Sequence, residues 1–528
     1  MPVLRLPDRP SLENLRKQAR TLQQLVRAGV PGALATVAEF HPRLAAITGG
    51  GPLLAAFSRA DAQLVIARQY GFPSWPRLRQ YLGYVEEYSR SPHTQPTGGP
   101  AAGAGDEPSA PADSGAGLAG LAADFAQLAC LVYAGFDPAR IEQAARILTR
   151  HPGVATASLA AAAAAGEHEH VAARLQAEPA LARQLTGPFR WEPLLYACYS
   201  RLPLRPGRST LAVARVLLAA GADPNAGYLW SGLPSPFTAL TGAFGRGEGG
   251  PPAHPQAIEL ATLLLEAGAD PSDSQALYNC GLQSPPDSDE YLRLLLRYGL
   301  GTGTGGPWHE RLAPAHPSPR ESLDQELIQA VRKNLPGRVR LLLEHGADPS
   351  GPGLRHPADG GHTAWQWATI GGNREIADLL AAAAPQPAAD PVLEFLGACM
   401  AGDAARAREM RAADPGISAE ALMREPDLLA DAAQQDRLEA VRLLAGAGYD
   451  VNKLRRAGTR NSALHEAAWN GSMPMIALLL ELGADPALED LGYHATPAGW
   501  AEHNGQAEAA DYLSQQQAAR AGDRPSPP

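Results

Sequence analysis

Leu478–Ala487 reads LLLELGADPA: a leucine run followed at once by Gly-Ala-Asp-Pro. The same signature recurs as LLAAGADPN (Leu217–Asn225), LLLEAGADPS (Leu263–Ser272) and LLLEHGADPS (Leu341–Ser350), and more loosely as LLAGAGYDVN (Leu443–Asn452). Each copy ends a helix. The leucines pack inward, glycine takes the left-handed position past the last turn, and Asp-Pro cannot continue the helix. Self-similarity at periods of 20–50 residues is the mark of stacked supersecondary units. Asp450 and Asp485 lie 35 residues apart, which fits one helix–turn–helix unit plus a hairpin loop.

Working outward, each Asp is followed by a finger-like loop and then by a second helix start. The best copy is Ser462-Ala463-Leu464-His465-Glu466-Ala467-Ala468. Others begin at Glu192-Pro193-Leu194, Thr238-Ala239-Leu240, Thr363-Ala364-Trp365 and Thr496-Pro497-Ala498. Ser or Thr caps the start, Pro suits the first helical position, and alanines let paired helices approach. These residues resemble the ankyrin repeat. The resemblance is strongest over Asp436–Leu513 and recurs in weaker form from about Ala155. It implies an all-α solenoid of helix–turn–helix units with finger loops, preceded by a small helical module. In that pattern His465 orders its turn through hydrogen bonds. The middle departs from the pattern: Asp223 and Asp270 are 47 residues apart, so insertions are expected at Ala226–Pro236 and Gly245–Pro255. Tyr291–Gly299, Leu393–Ala413 and Asp427–Ala445 are expected to be degenerate helices or helix pairs.

The chain has 528 residues, 45% of them hydrophobic. That is too long for one ordinary core, a limit a solenoid escapes because each unit touches only its neighbours. Five segments are expected: a helical module at 1–88, a flexible Pro/Gly/Ala-rich linker at 89–120, divergent repeats at 121–388, C-terminal repeats at 389–516 and a disordered tail at 517–528. Ser11–Ala28 has amphipathic spacing (Leu12, Leu15, Ala19, Leu22, Val26). Ser58–Leu82 reads as a helix that stops at Gly71 and restarts past Trp75. This region looks like the helical segment ahead of ankyrin repeats in many bacterial proteins. The linker predicts that it moves independently of the array. Phe72 and Trp75 either glue its helices together or are displayed for docking.

A net charge of −10 argues against a general nucleic-acid binder. No segment reads as a secretory signal or a membrane span; Leu118–Phe136 carries Asp124 and Gln127 and reads as a buried helix. Cys130, Cys198, Cys280 and Cys399 have neither metal nor redox spacing and suit free thiols in a cytoplasmic protein. Enzyme signatures fail. Gly301–Gly306 contains G-x-G-x-x-G but follows a leucine-rich helix, not a strand. His465-Glu466 begins H-E-x-x-H, but Trp469 occupies the second His position. His168 and His170 fall on different helical faces. No catalytic residue, cofactor or metal is therefore expected.

An ankyrin array usually binds a protein through its concave face, so the resemblance implies a non-catalytic interaction scaffold. The outward positions on its inner helices are Tyr199 and Ser200, Gly245 and Arg246, Ile370 and Gly371, Trp469 and Asn470, and His503 and Asn504. Trp469 is the first choice among them. Lys453, Arg455, Arg456 and Arg460 crowd one finger and suit an acidic partner. Tyr228, Leu229 and Trp230 mark another finger as a contact loop. The alternative is an enzyme or small-molecule site in the divergent middle, 187–358. A deep pocket lined by converging His, Asp or Glu would signal it.

Overall fold

The computed structural model describes residues 4, 6–7, 10–42, 55–92, 115–133, 135–203, 205–247, 250–281, 287–351, 361–385 and 387–522. The chain is all-α, with 62% helix and 3% strand. It divides into two compact units, Met1–Leu323 and Asp324–Pro528.

The repeat chemistry appears at all five signature copies. Gly221, Gly268, Gly346, Gly448 and Gly483 have φ between 86° and 103°, a region a side chain rarely tolerates. The next residue's N–H reaches back to the leucine carbonyl five positions earlier, for example Ala222 to Leu217 and Ala484 to Leu479, both at 2.9 Å. Each Asp carboxylate then takes the N–H two residues on: Asp223 from Asn225, Asp270 from Ser272, Asp348 from Ser350, Asp450 from Asn452 and Asp485 from Ala487, at 2.8–3.0 Å. Where the residue after Asp-X is asparagine, it also ties one repeat to the next. Asn225 donates to Gly268 C=O and accepts from Asp270 N–H. Asn452 does the same with Gly483 and Asp485.

In the C-terminal unit, five helical hairpins are found among the described residues. The inner helices Ala364–Ile370, Pro391–Met400, Leu428–Gln434, Ala463–Asn470 and Pro497–His503 each pair with the outer helix that follows. Their facing sides are alanines, leucines and glycine, as at Ala432, Ala433, Ala467, Ala468 and Ala501, all buried. Ala364–Ile370 packs directly on Pro391–Met400. The stacking is thus continuous from the last divergent repeat into the C-terminal ones. The tail also differs from expectation over 517–522, which extends the helix Ala507–Gly522; residues 523–528 lie outside the described residues.

The N-terminal unit stacks Leu159–Ala165, Pro193–Tyr199, Ala239–Phe244 and Ser274–Gly281 in the same manner. Three short strands stand on it: β1 (Ser89–Arg90), β2 (Gly227–Trp230) and β3 (Pro236–Thr238). β1 pairs parallel to β2, and β2 antiparallel to β3. This corrects the independent N-terminal module. Its helices, Leu12–Arg27, Pro31–Phe40, Arg59–Gln69 and Trp75–Tyr88, bury Leu15, Val26, Val65, Phe72 and Trp75 in one core with Leu229, Trp308 and Leu312 from the repeats. Tyr88 meets Trp308 edge-on at 5.0 Å, and Arg311 lies over both rings. What holds the module is apolar area it cannot cover alone. The expected linker starts inside this contact, at β1, and its end is helical (Gly115–Ala129); residues 93–114 lie outside the described residues. Phe72 and Trp75 are 1% and 9% exposed, so they glue helices.

Candidate partner-binding face

The last two hairpins present an aromatic surface built from the backbone outward. His465 is buried and fixes the start of Ala463–Asn470. Its Nε2 donates to Ala495 C=O at 3.0 Å, and its Nδ1 accepts from Ser462 N–H and Oγ. Burial holds its pKa below the usual value, which keeps this tautomer neutral. Seven residues' worth of helix then brings Trp469 to the surface, 39% exposed. Trp469 meets Trp500 edge-to-face at 5.8 Å and His503 at 6.0 Å. Trp500 in turn meets Tyr493 at 6.4 Å.

Tyr493 is 71% exposed and its neighbour Leu491 45%. Both sit on the finger between the last two hairpins, and sequence reasoning did not single them out. Asp490 holds that finger. Its buried carboxylate accepts from Gly492 N–H (2.8 Å), Tyr493 N–H (2.6 Å), Ala495 N–H (3.1 Å) and Trp500 Nε1 (3.0 Å). Burial alone would raise its pKa, but these four donors bring it below the usual carboxylate range. The signal available was an Asp two residues before a Gly in a finger (Asp490-Leu491-Gly492). Asp490→Ala leaves four donors without an acceptor. At about 1 kcal/mol or more for each bond to a charged group, it is expected to cost about 3 kcal/mol and to free the finger. Hydrogen exchange over 487–496 reads this directly. The sign with pH follows from the lowered pKa: the stabilisation is complete above the ordinary carboxylate pKa and is lost as pH falls through the folded value.

The other sequence-derived candidates divide. His503 is exposed beside Trp469. Asn470 and Asn504 are exposed too, but each uses its amide as a rung, Asn470 to Gln434 C=O and Asn504 to Trp469 C=O, both at 2.8 Å. Lys453 is half-buried and Arg460 exposed. Arg455 is no docking charge: its side chain is 17% exposed, ion-paired to Asp431 and Glu466. Arg456 lies against Asp427. Two of the four expected cations, Arg455 and Arg456, are thus paired within the repeat.

Tyr199 and Tyr228 are corrections: they are 0% and 1% exposed. Tyr199 donates from its hydroxyl to Thr238 C=O at 3.0 Å. The inserted finger folds back as the β2–β3 hairpin, so alternate residues face opposite ways. Tyr228 stacks on Trp191 at 5.1 Å, while Leu229 enters the core of the N-terminal helices. Trp230 is half-buried beside Phe237. Ser200 and Ile370 are buried as well.

The divergent middle does bring His and Asp together. His309 Nδ1 lies 2.8 Å from Asp270, His316 stands 4.5 Å from His309 between ring centres, and His316 Nε2 is 3.0 Å from Ser274 Oγ. Burial pushes Asp273 up to about 6 and His316 down to about 4. The cavity they line is about 10 Å³, room for about one water, and Trp308 and three prolines or leucines close it. It links repeats. Glycines of the G-x-G-x-x-G run serve the same packing, with Gly306 N–H on Asp270 and Gly305 against the His309 ring. Among the described residues, no group of three or more His, Cys, Asp or Glu could hold a metal ion, and no helix is long and apolar enough to cross a membrane.

Residues 429–523 match the family model described as ankyrin repeats (3 copies). That stretch of the chain is therefore a run of ankyrin repeats. No curated protein matches the chain. Ankyrin repeats support a protein–protein interaction scaffold in general.

Proposed function

We propose that the chain is a non-catalytic scaffold that holds a protein partner on the face formed by Trp469, Tyr493, Trp500 and His503. The observation that carries this is the exposure of Trp469 and Tyr493 on rigid supports. A tryptophan and a tyrosine held in place by buried hydrogen bonds lose little entropy when a partner covers them. Large exposed aromatics on such a frame are the usual energetic centre of an interface. Four buried free thiols support a reducing, cytoplasmic setting, and the acidic charge disfavours nucleic acid as the partner.

The test compares affinity purification from the native host with the wild-type chain and with the Trp469→Ala/Tyr493→Ala pair. Both must melt alike. A specific partner is expected to be lost, since truncating one interface centre costs about 2 kcal/mol, roughly thirtyfold in affinity. Retention of every partner by the folded variant would refute this face.

A further inference from the structure

The chemistry of the partner can be read from the charge around those aromatics, and this step rests on the docking face just proposed. Between Asn461 and Ala519 there are eight carboxylates and not one lysine or arginine. That stretch contains the last two hairpins, which carry Trp469, Tyr493 and Trp500. The imbalance is general to the C-terminal unit. Asp324–Pro528 holds 28 Asp and Glu against 18 Lys and Arg, whereas Met1–Leu323 holds 27 of each, so the whole net charge of −10 resides in the second unit. Folding takes two of the eight out of play, since Glu466 pairs with Arg455 and Asp490 is buried in its finger, and leaves six. Just upstream, Arg455 and Arg456 are tied to Asp431, Glu466 and Asp427, while Arg460, at the edge of the stretch, and Lys453 remain on that finger. Glu489, next to Asp490, and Glu502, between Trp500 and His503, are exposed.

Exposed indole and phenol faces attract ammonium and guanidinium groups through the ring quadrupole. Unbalanced carboxylates repel one another until a cation arrives, and they steer that cation to the surface. We propose that the Trp469 face binds a cationic segment of a partner protein, with a lysine or arginine side chain laid against Trp469 or Tyr493 and neighbouring positive charges paired with Glu489 and Glu502. This reverses the acidic partner that the Lys453–Arg460 finger suggests from sequence.

A random dodecapeptide library displayed on phage, selected on the full-length protein and counter-selected on the Trp469→Ala/Tyr493→Ala variant, tests it. Peptides that survive are expected to carry several lysines or arginines. Their affinity should fall at least tenfold for Glu489→Gln/Glu502→Gln and should weaken steadily as salt is raised. Survivors without cationic residues, or survivors indifferent to the Gln pair, would overturn the cationic partner while leaving the docking face standing. If selection yields only peptides that bind wild type and the aromatic variant equally, the docking face itself falls. Circular dichroism and melting of each variant separate lost contacts from lost folding.

Discussion

Arg201→Met is expected to destabilise the N-terminal unit by about 3–5 kcal/mol, the range for stripping a buried charge network of its centre. Arg201 is 6% exposed. Its Nε donates to Pro252 C=O (2.8 Å), Nη1 to Cys198 and Ser200 C=O (3.1 and 3.0 Å), and Nη2 to Gly242 C=O (2.6 Å). Carbonyl dipoles thus stand where a carboxylate would ordinarily stand. Burial lowers its pKa, but a guanidinium starts so high that it stays charged. Methionine fills the space and leaves four acceptors unmet, each worth about 1–3 kcal/mol when buried. Pro252 lies in the inserted loop, so that loop should open first. Hydrogen exchange over 245–256 and the urea midpoint of the first unit would show it. Lysine should not rescue, because a single ammonium cannot span this fork. A loss below about 1 kcal/mol would mean the loop holds itself.

Gly397→Ala is the second large effect. Gly397 lies within the inner helix Pro391–Met400, and a Cβ there would fall 2.2 Å from the Thr369 carbonyl oxygen of the neighbouring inner helix. That atom is backbone, so no side-chain rotation can relieve the clash and the two helices must part. Alanine in a helix interior is ordinarily better than glycine by about 1 kcal/mol. Overpacking of this kind costs about 1–3 kcal/mol or more, and a contact this short belongs at the upper end. A net loss of about 2 kcal/mol or more is expected. Gly337→Ala is the control: it too is helical, and nothing lies within 4 Å of its added Cβ. It should gain up to about 1 kcal/mol. Thermal melts of the pair, run side by side, read opposite signs.

Much of the fold was legible because its determinants are local. The Gly–Ala–Asp–Pro turn uses atoms within six residues, and all five copies behave as their chemistry requires. His465 was legible for the same reason: its Ser462 bonds are three residues away. The errors arise from distance along the chain. Arg455 looked like a free cation because Asp431 is 24 residues upstream. Tyr228 looked exposed because its insertion gives no sign that Trp191 and Phe237 wait beneath it. The exposure of Trp469 was legible from its position in the repeat. Tyr493 was missed because its display depends on how Asp490 gathers Gly492, Ala495 and Trp500, a cage that only folding assembles.

The core shared by the first four helices with Leu229, Trp308 and Leu312 has a consequence for biogenesis. More than two hundred residues separate Tyr88 from Leu312. At about 5–20 residues per second, the ribosome needs roughly ten to forty-five seconds to deliver the last piece of that interior. During that interval the first helices carry an uncovered apolar side, so this chain should lean on chaperones from early in translation until Leu312 is made.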